Sequence, residues 1–200
     1  MKLARTLLAV SLTLACSPHL TAQAAVGQSA PAFSAVDTQG KTHGLDQYRG
    51  KWVVLEWTNH DCPFVKKHYG GNMQKLQKDY TGKGVAWLTI VSSAPGKQGH
   101  VSPAQADQLT KDRGAAPSAV LLDPEGKVGR AYGARTTPHM YVIDPSGKLV
   151  YAGAIDDTPS TDPADLATAR NYVTAALDAA LAGKPVATTT STPYGCSVKY

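Results

Sequence analysis

A chain of 200 residues, 42% of them hydrophobic, is long enough for one well-buried core and too short for two domains to be expected. The formal net charge is +5, but the basic residues are scattered along the chain, which argues against a nucleic-acid partner. After the first residues, no stretch approaches the ~20 consecutive apolar residues that cross a bilayer, so the mature protein is not expected to be transmembrane.

The first 24 residues have the pattern of an export signal. Lys2 and Arg5 precede an apolar run, and Ala22-Gln23-Ala24 forms a small-x-small cleavage site. We therefore expect residues 1–24 to be removed on export, which in a bacterium places the mature protein in the periplasm. An exported chain meets an oxidising environment, where cysteines either crosslink the fold or transfer electrons.

One of the three cysteines lies in this predicted signal. Thr13-Leu14-Ala15-Cys16 partly resembles the lipobox that directs lipid attachment to a cysteine, although threonine stands where leucine is usual. Lipidation at Cys16, giving a lipoprotein, is therefore the alternative to ordinary cleavage. Both routes leave Cys62 and Cys196 as the two thiols for redox chemistry.

The first half of the mature chain has the pattern of a hairpin, a strand, a helix and a second strand. Residues 26–50 are punctuated by proline and glycine, which predicts a short hairpin. Residues 51–58 and 85–91 are rich in apolar, β-branched and aromatic side chains, which predicts two buried strands. The helix between them should follow Cys62 and break at Gly70-Gly71, and its crossover should make the two strands parallel neighbours.

The second half adds further strands and helices before a polar tail. The domain is predicted to span residues 25–183, and residues 184–200 form a C-terminal tail. Because the Thr/Ser-rich run 187–193 offers little apolar surface, we predict that the tail is a flexible arm that carries Cys196. The predicted elements are a helix at 102–113, a strand at 119–122, a hairpin from 140–143 and 149–153, and a last helix from about 162 to 183.

Cys62 stands where a strand passes through a polar loop, 59–61, into a helix. The start of a helix presents unpaired N–H groups and the positive end of the dipole, both of which favour a thiolate. The basic residues 66–68 should add to this effect, whereas Asp61 should oppose it. The sequence therefore predicts a lowered pKa and a reactive thiol at Cys62, with a buried inert cysteine as the alternative.

Residues 57–65, Trp-Thr-Asn-His-Asp-Cys-Pro-Phe-Val, together with Thr137-Pro138, resemble the thioredoxin superfamily. The resemblance is to the redoxin branch, which includes the alkyl hydroperoxide reductase/thiol-specific antioxidant family, and it covers nearly the whole mature chain. It implies an α/β, thioredoxin-like fold with a central mixed β-sheet flanked by α-helices. It also implies that Pro138 is a cis-proline beside Cys62.

Two departures from the family pattern bear on the activity. A dithiol thioredoxin motif has a second cysteine three residues after the first, where this chain has Val65. Peroxiredoxins have the signature Pro-x-x-x-Thr-x-x-Cys, whereas here Leu55 takes the place of the proline and Thr58, a candidate site residue, lies one residue too far back. The resemblance implies a thiol-dependent, peroxiredoxin-like antioxidant oxidoreductase that reduces peroxides or exchanges disulfides, with an external thiol as reductant.

Cys196 is a candidate for the missing second thiol. If Cys62 is oxidised to a sulfenic acid or held in a mixed disulfide, Cys196 would attack and resolve it. The alternative is a permanent disulfide that pins the tail to the body. We predict a cycle between the reduced dithiol and a Cys62–Cys196 disulfide. Arg135, three residues before Pro138, is a candidate to stabilise the Cys62 thiolate or an oxyanion, with a solvated surface role as the alternative.

Two other classes of function compete with this one. Imidazole and thiolate groups at His60, Cys62, His68 and His139 would suit a copper or zinc carrier, although carriers on this fold generally supply two neighbouring cysteines. A binding protein that keeps the fold without turnover is the other class. We expect neither a cofactor nor a resident metal, and nothing in the sequence marks an oligomeric state.

Overall fold

The computed structural model describes residues 23–200, so nearly all of the predicted signal, with Cys16, lies outside the described residues. The strands that it describes are short and most of them are buried. In chain order they are β1 (Ser34–Asp37), β2 (Thr42–Gly44), β3 (Val53–Trp57), β4 (Ala86–Val91), β5 (Ala119–Leu122), β6 (Thr136–Thr137), β7 (His139–Ile143), β8 (Leu149–Gly153) and β9 (Cys196–Ser197).

Seven of these strands form one mixed sheet in the order β2-β1-β5-β4-β3-β7-β8, which confirms the predicted fold class. β3 and β4 are parallel neighbours, with Val53 opposite Ala86 and Trp57 opposite Ile90, as the sequence predicts. β1 with β2, and β7 with β8, form the two predicted antiparallel hairpins. β6 and β9 form a separate two-stranded pair.

The helices follow the sequence pattern except in two places. A helix at 127–132, for which we had no prediction, is bounded by Gly126 and Gly133, both with left-handed φ. The predicted last helix is divided, because Asn171 accepts a hydrogen bond from Thr174 N (2.8 Å) and so starts a new helix after a 3-10 turn at Pro163–Ala167. The α-helices are α1 (Pro63–His68), α2 (Asn72–Thr81), α3 (Pro103–Asp112), α4 (Lys127–Tyr132) and α5 (Tyr172–Leu181).

Both faces of the sheet are buried because β3 directs alternate side chains to opposite sides. Leu55 and Trp57 pack in one apolar cluster with Val128 of α4. Val54 packs in the other cluster with Met73 of α2 and Leu177 of α5. Within residues 23–200, no helix is both long enough and apolar enough to cross a membrane.

The C-terminal tail lies against the body, although its composition predicts a flexible arm. It contacts the end of β8, where Ala152 N donates to the carbonyl of Thr189 (3.1 Å). The Ser191 hydroxyl then accepts a hydrogen bond from Ala154 N (2.9 Å) and shares another with the Tyr151 hydroxyl (2.7 Å). The polar groups that suggested disorder instead make these hydrogen bonds with the body.

The last residue of the tail is also held. The ring of Tyr200 lies in a notch at Gly126 and Gly129, where an added Cβ would come within 2.3 Å of it. Its hydroxyl donates to the carbonyl of Ala134 (2.7 Å), and the Arg130 guanidinium lies 4.5 Å from the ring centroid. The tail is therefore fixed on both sides of Cys196.

Candidate active site

Cys62 is the N-cap of α1, directly after the loop that follows β3. Its N–H donates to the carbonyl of Asn59 (3.1 Å), and its own carbonyl accepts from Lys66 N (2.9 Å). Pro63 occupies the first helical position, as predicted, because a proline has no N–H to leave unpaired there. The side chain of Cys62 is fully buried, with 0% exposure.

The carbonyl of Thr137 lies beside the Cys62 thiol. The peptide bond between Thr137 and Pro138 is cis, and Cys62 Sγ donates to the Thr137 carbonyl over 3.2 Å. This confirms the predicted approach of Cys62 and Pro138, which are far apart in sequence. The Cys62 thiol therefore lies between the start of α1 and the cis-proline segment that joins β6 to β7.

Cys196 is brought to the same place by β9. Thr137 lies opposite Cys196 in the antiparallel β6–β9 pair, and Val198 N donates to the carbonyl of Arg135 (3.0 Å). Both cysteines are free, and the Cys196 thiol lies within hydrogen-bonding reach of the Cys62 sulfur. Gly195 permits this approach, because an added Cβ would lie 2.1 Å from the Thr137 carbonyl oxygen.

The pKa values of the two thiols are shifted in opposite directions. Burial raises the pKa of Cys62, but hydrogen bonds from the Cys196 thiol and from the Val65 N–H outweigh it, so the pKa is lowered. Burial raises the pKa of Cys196 to about 11, and the hydrogen bond to Cys62 and the Cys62 charge act in the same direction. The predicted lowering at Cys62 is therefore present, and Cys62 loses its proton more readily than Cys196.

The basic residues after Cys62 do not act as the sequence suggested. Lys67 is buried and donates to the carbonyl of Thr158 (3.0 Å) and to the Ser160 hydroxyl (3.3 Å). Burial lowers the pKa of His68 to about 4, so its imidazole is neutral near pH 7. The lowered pKa of Cys62 thus depends on hydrogen bonds more than on neighbouring charges.

A buried polar cluster behind α1 holds the tail near Cys196. The Tyr194 hydroxyl donates to Asp156 Oδ1 and lies 3.1 Å from His68 Nε2. No pattern in the sequence marks Asp156, which follows β8 in a polar loop. The sequence signal for this cluster is Tyr194 itself, a large aromatic residue that lies two positions before Cys196 in a tail of small polar residues.

Two candidates from the sequence form no hydrogen bond with either thiol within residues 23–200. The Thr58 hydroxyl is buried and, among the described residues, has no hydrogen-bond partner; it lines a small cavity with Thr89 and Arg113. Arg135 is exposed, and its side chain forms no hydrogen bond within residues 23–200. Its backbone instead pairs with Val198, and its charge helps to lower the pKa of His139, after the larger effect of burial.

The histidines of the metal-carrier alternative have protein partners. His139 Nδ1 lies 3.3 Å from Arg135 N and 3.2 Å from the Tyr141 hydroxyl. His60 Nε2 lies 3.4 Å from Asp61 Oδ2. In the part of the chain that the structure describes, no group of three His, Cys, Asp or Glu side chains is placed to hold a metal ion.

A thioredoxin-like sheet, a cysteine at a helix start and a cis-proline beside it define the class of thioredoxin-fold thiol oxidoreductases. The fold is shared with the thioredoxin domain of a thiol-disulfide oxidoreductase from Bacteroides vulgatus, with a TM-score of 0.50 and 21% identity over 64% of this chain and 87% of that chain. The chain belongs to the AhpC/TSA family, whose model matches residues 26–152.

Two further relatives are more similar in sequence. The chain is 30% identical over 125 residues, 62% of its own length and 67% of the relative, to the thiol-disulfide oxidoreductase ResA of Geobacillus thermodenitrificans. A conserved protein of Geobacillus kaustophilus whose crystal structure is known has 29% identity and a TM-score of 0.74, over 88% of this chain and 92% of that chain.

Proposed function

We propose that this protein is an exported thiol oxidoreductase that cycles between a Cys62, Cys196 dithiol and a Cys62–Cys196 disulfide. The observation that carries the proposal is the meeting of the two thiols beside Thr137, one with a lowered pKa and the other with a raised one. Export is supported by the pattern of the first 24 residues.

Cys62 is the nucleophile, because it is the thiol with the lowered pKa. With a hydroperoxide, the Cys62 thiolate takes the terminal oxygen, the O–O bond breaks, and the alkoxide leaves as an alcohol after taking a proton; Cys62 becomes a sulfenic acid. With a disulfide, the thiolate forms a mixed disulfide and one thiolate leaves. In either reaction Cys62 is oxidised and the substrate is reduced.

Cys196 then completes the reaction. Once Cys62 is a sulfenic acid or a mixed disulfide, it carries no charge, and one cause of the raised pKa of Cys196 is gone. Attack of the Cys196 thiolate on the Cys62 sulfur forms the intramolecular disulfide and releases water or the second thiol of the substrate. An external dithiol then reduces this disulfide and is itself oxidised to a disulfide.

The experiment is an intact-mass measurement with thiol counting, before and after one equivalent of hydrogen peroxide or a small disulfide. We expect wild type to lose two thiols and to give a Cys62–Cys196 peptide on mapping. Cys196→Ser should stop at a sulfenic acid or a mixed disulfide and over-oxidise more readily. If wild type gives no such peptide, or the variant turns over and resists over-oxidation as wild type does, the resolving role is wrong.

Cys62→Ser separates this function from the two alternatives. An oxidoreductase loses turnover to the level of the uncatalysed reaction. A copper or zinc carrier would lose bound metal, and a binding protein without turnover would lose neither property. Comparing rates with peroxide and with disulfide in wild type decides which substrate class is preferred.

A further inference from the structure

The pocket that receives Tyr194 is built from buried polar side chains on separate elements. His68, at the end of α1, is 0% exposed, and Asp156, after β8, is 2% exposed. Asn72 Nδ2 lies 2.9 Å from His68 Nδ1 and donates to it, so His68 Nε2 carries the ring proton and donates to the Tyr194 hydroxyl. That hydroxyl in turn donates to Asp156.

The ring of Tyr194 is held by the same helix that begins at Cys62. Phe64 meets it in an edge-to-face contact, with the ring centroids 5.7 Å apart. Phe64 and His68 are one turn apart on α1, so both the ring and the hydroxyl of Tyr194 are tied to the helix whose N-cap is the nucleophile.

We propose that Tyr194 is a positioning residue, which holds the tail so that the Cys196 thiol stays against Cys62. The proposal rests on the proposed function. Two peptide units separate Tyr194 from Cys196, so fixing the tyrosine confines the Cys196 Cα to within ~7 Å of it. Confinement raises the effective concentration of the resolving thiol, which a free tail would dilute.

The pocket also links release of the tail to proton uptake. Within the described part of the chain, Asp156 Oδ2 is buried without a hydrogen-bond partner, and it lies 3.8 Å from His68 Nε2. When Tyr194 leaves, this carboxylate and the imidazole face each other, and protonation of His68 completes an ion pair.

The groups around His68 determine whether docking of the tail becomes stronger or weaker as the pH falls. In the docked state burial lowers the pKa of His68 to about 4, although Asp156 acts to raise it and Lys67 to lower it further. Asp157 lies near the Tyr194 hydroxyl and, with Asp156, disfavours its ionisation. The released state binds the His68 proton more tightly, so docking weakens as the pH falls below the released-state pKa towards 4.

The test uses Tyr194→Phe with Tyr172→Phe as the matched control. Tyr172 lines a groove together with Asp156 and Tyr194, and its hydroxyl makes no hydrogen bond within residues 23–200. Two quantities are measured: the exchange protection of the Val198 amide in the reduced protein, and the rate at which the Cys62 sulfenic acid is converted to the disulfide. We expect Tyr194→Phe to lower each by about tenfold, the effect of losing a hydrogen bond to a charged group, and Tyr172→Phe to leave both close to their wild-type values.

The pH profile separates positioning from a general structural role. Protection of Val198 in wild type should fall between about pH 7 and pH 5, and Asp156→Asn should flatten that dependence. If Tyr194→Phe matches Tyr172→Phe in both measurements, the proposal is overturned. If wild type forms no Cys62–Cys196 disulfide, the proposed function fails, while the protection of Val198 still decides whether Tyr194 holds the tail.

Discussion

The two cysteines come from regions of very different construction. Cys62 follows β3, a strand whose five residues are all buried and hydrogen-bonded on both sides to other strands. Cys196 belongs to a tail in which none of residues 187–200 is fully buried. The first thiol is fixed by the core of the domain, and the second is held by a few side-chain contacts and a two-residue strand.

This difference separates the stability of the fold from the geometry of the site. A segment held by few buried contacts opens at a lower free energy than the strands of the core. The body should therefore stay folded when the tail is released, and Cys196 should be withdrawn from Cys62 without global unfolding. The predictions that follow test this separation, first in the core and then in the tail.

The largest effect is expected at Glu56, a fully buried carboxylate on β3. It accepts hydrogen bonds from the Tyr69 hydroxyl (2.7 Å), Gln77 Nε2 (3.1 Å), Trp87 Nε1 (2.7 Å) and the Thr89 hydroxyl (3.1 Å). Glu56→Ala leaves these donors without an acceptor and should lower the free energy of unfolding by roughly 3–5 kcal/mol. Urea denaturation measures the loss, and a change below ~1 kcal/mol would contradict the assignment of Glu56 to the core.

Glu56→Gln is the control, and it gives a pH dependence. Burial raises the pKa of Glu56, although its four donors act to lower it. The carboxyl therefore binds its proton more tightly in the folded than in the unfolded chain. Its contribution to stability is present below the unfolded pKa and is lost as the pH rises through the folded one. A glutamine does not titrate, so this decline should be absent in the variant.

The next effect is expected at Gly195, where the tail crosses Thr137. Gly195 has φ of +127°, and an added Cβ would clash with the Thr137 carbonyl. Gly195→Ala should prevent β9 from docking and so abolish the intramolecular disulfide. The free energy of unfolding should change by less than ~1 kcal/mol, because the core is untouched.

Gly183→Ala is the matched control for this variant. Gly183 also has a positive φ, of +68°, but an added Cβ there meets no atom of residues 23–200 within 4 Å. The Gly183→Ala variant should form the Cys62–Cys196 disulfide at close to the wild-type rate, as followed by disulfide mapping. Equal loss in both variants would mean that backbone strain, and not the approach to Thr137, is responsible.

The smallest effect is a shift in acidity at the nucleophile. Cys196→Ala removes the hydrogen bond that the Cys196 thiol gives to the Cys62 sulfur and keeps the one from the backbone of residue 196, so the pKa of Cys62 should rise. The pH dependence of Cys62 alkylation measures it. Cys196→Ser keeps a donor and should give a smaller rise. An unchanged pKa in both variants would show that the Cys196 side chain does not act on the nucleophile.

The core of the fold was accessible from the sequence because its signals are local. β3 and β4 are rich in apolar, β-branched and aromatic residues, and Pro63 and Gly70-Gly71 mark a helix start and a break. The α4 helix was missed because it is six residues long with Gly129 inside it. The division before α5 was missed because the cap at Asn171 resembles any other polar residue in a helical pattern.

The site residues also divide into those predicted from local sequence signals and those whose placement depends on distant contacts. Cys62 and Pro138 were predicted from a strand, a helix start and a family pattern, and Cys196 by counting thiols. Whether Thr58 and Arg135 form hydrogen bonds with the thiols depends on side-chain direction, which the sequence does not encode locally. The docked tail depends on contacts such as Tyr194 with Asp156, and Tyr200 with the notch at Gly126. Such contacts join distant residues and leave no periodic signal.

The pairing of β9 with β6 has a consequence beyond the thiols. An unpaired strand edge offers backbone N–H and C=O groups to any other chain, and proteins generally cover such edges. Here the chain covers the edge at Thr136–Thr137 with its own last residues, so each release of the tail also opens a site for strand addition. Self-association should therefore rise in variants such as Gly195→Ala, whose tail cannot return.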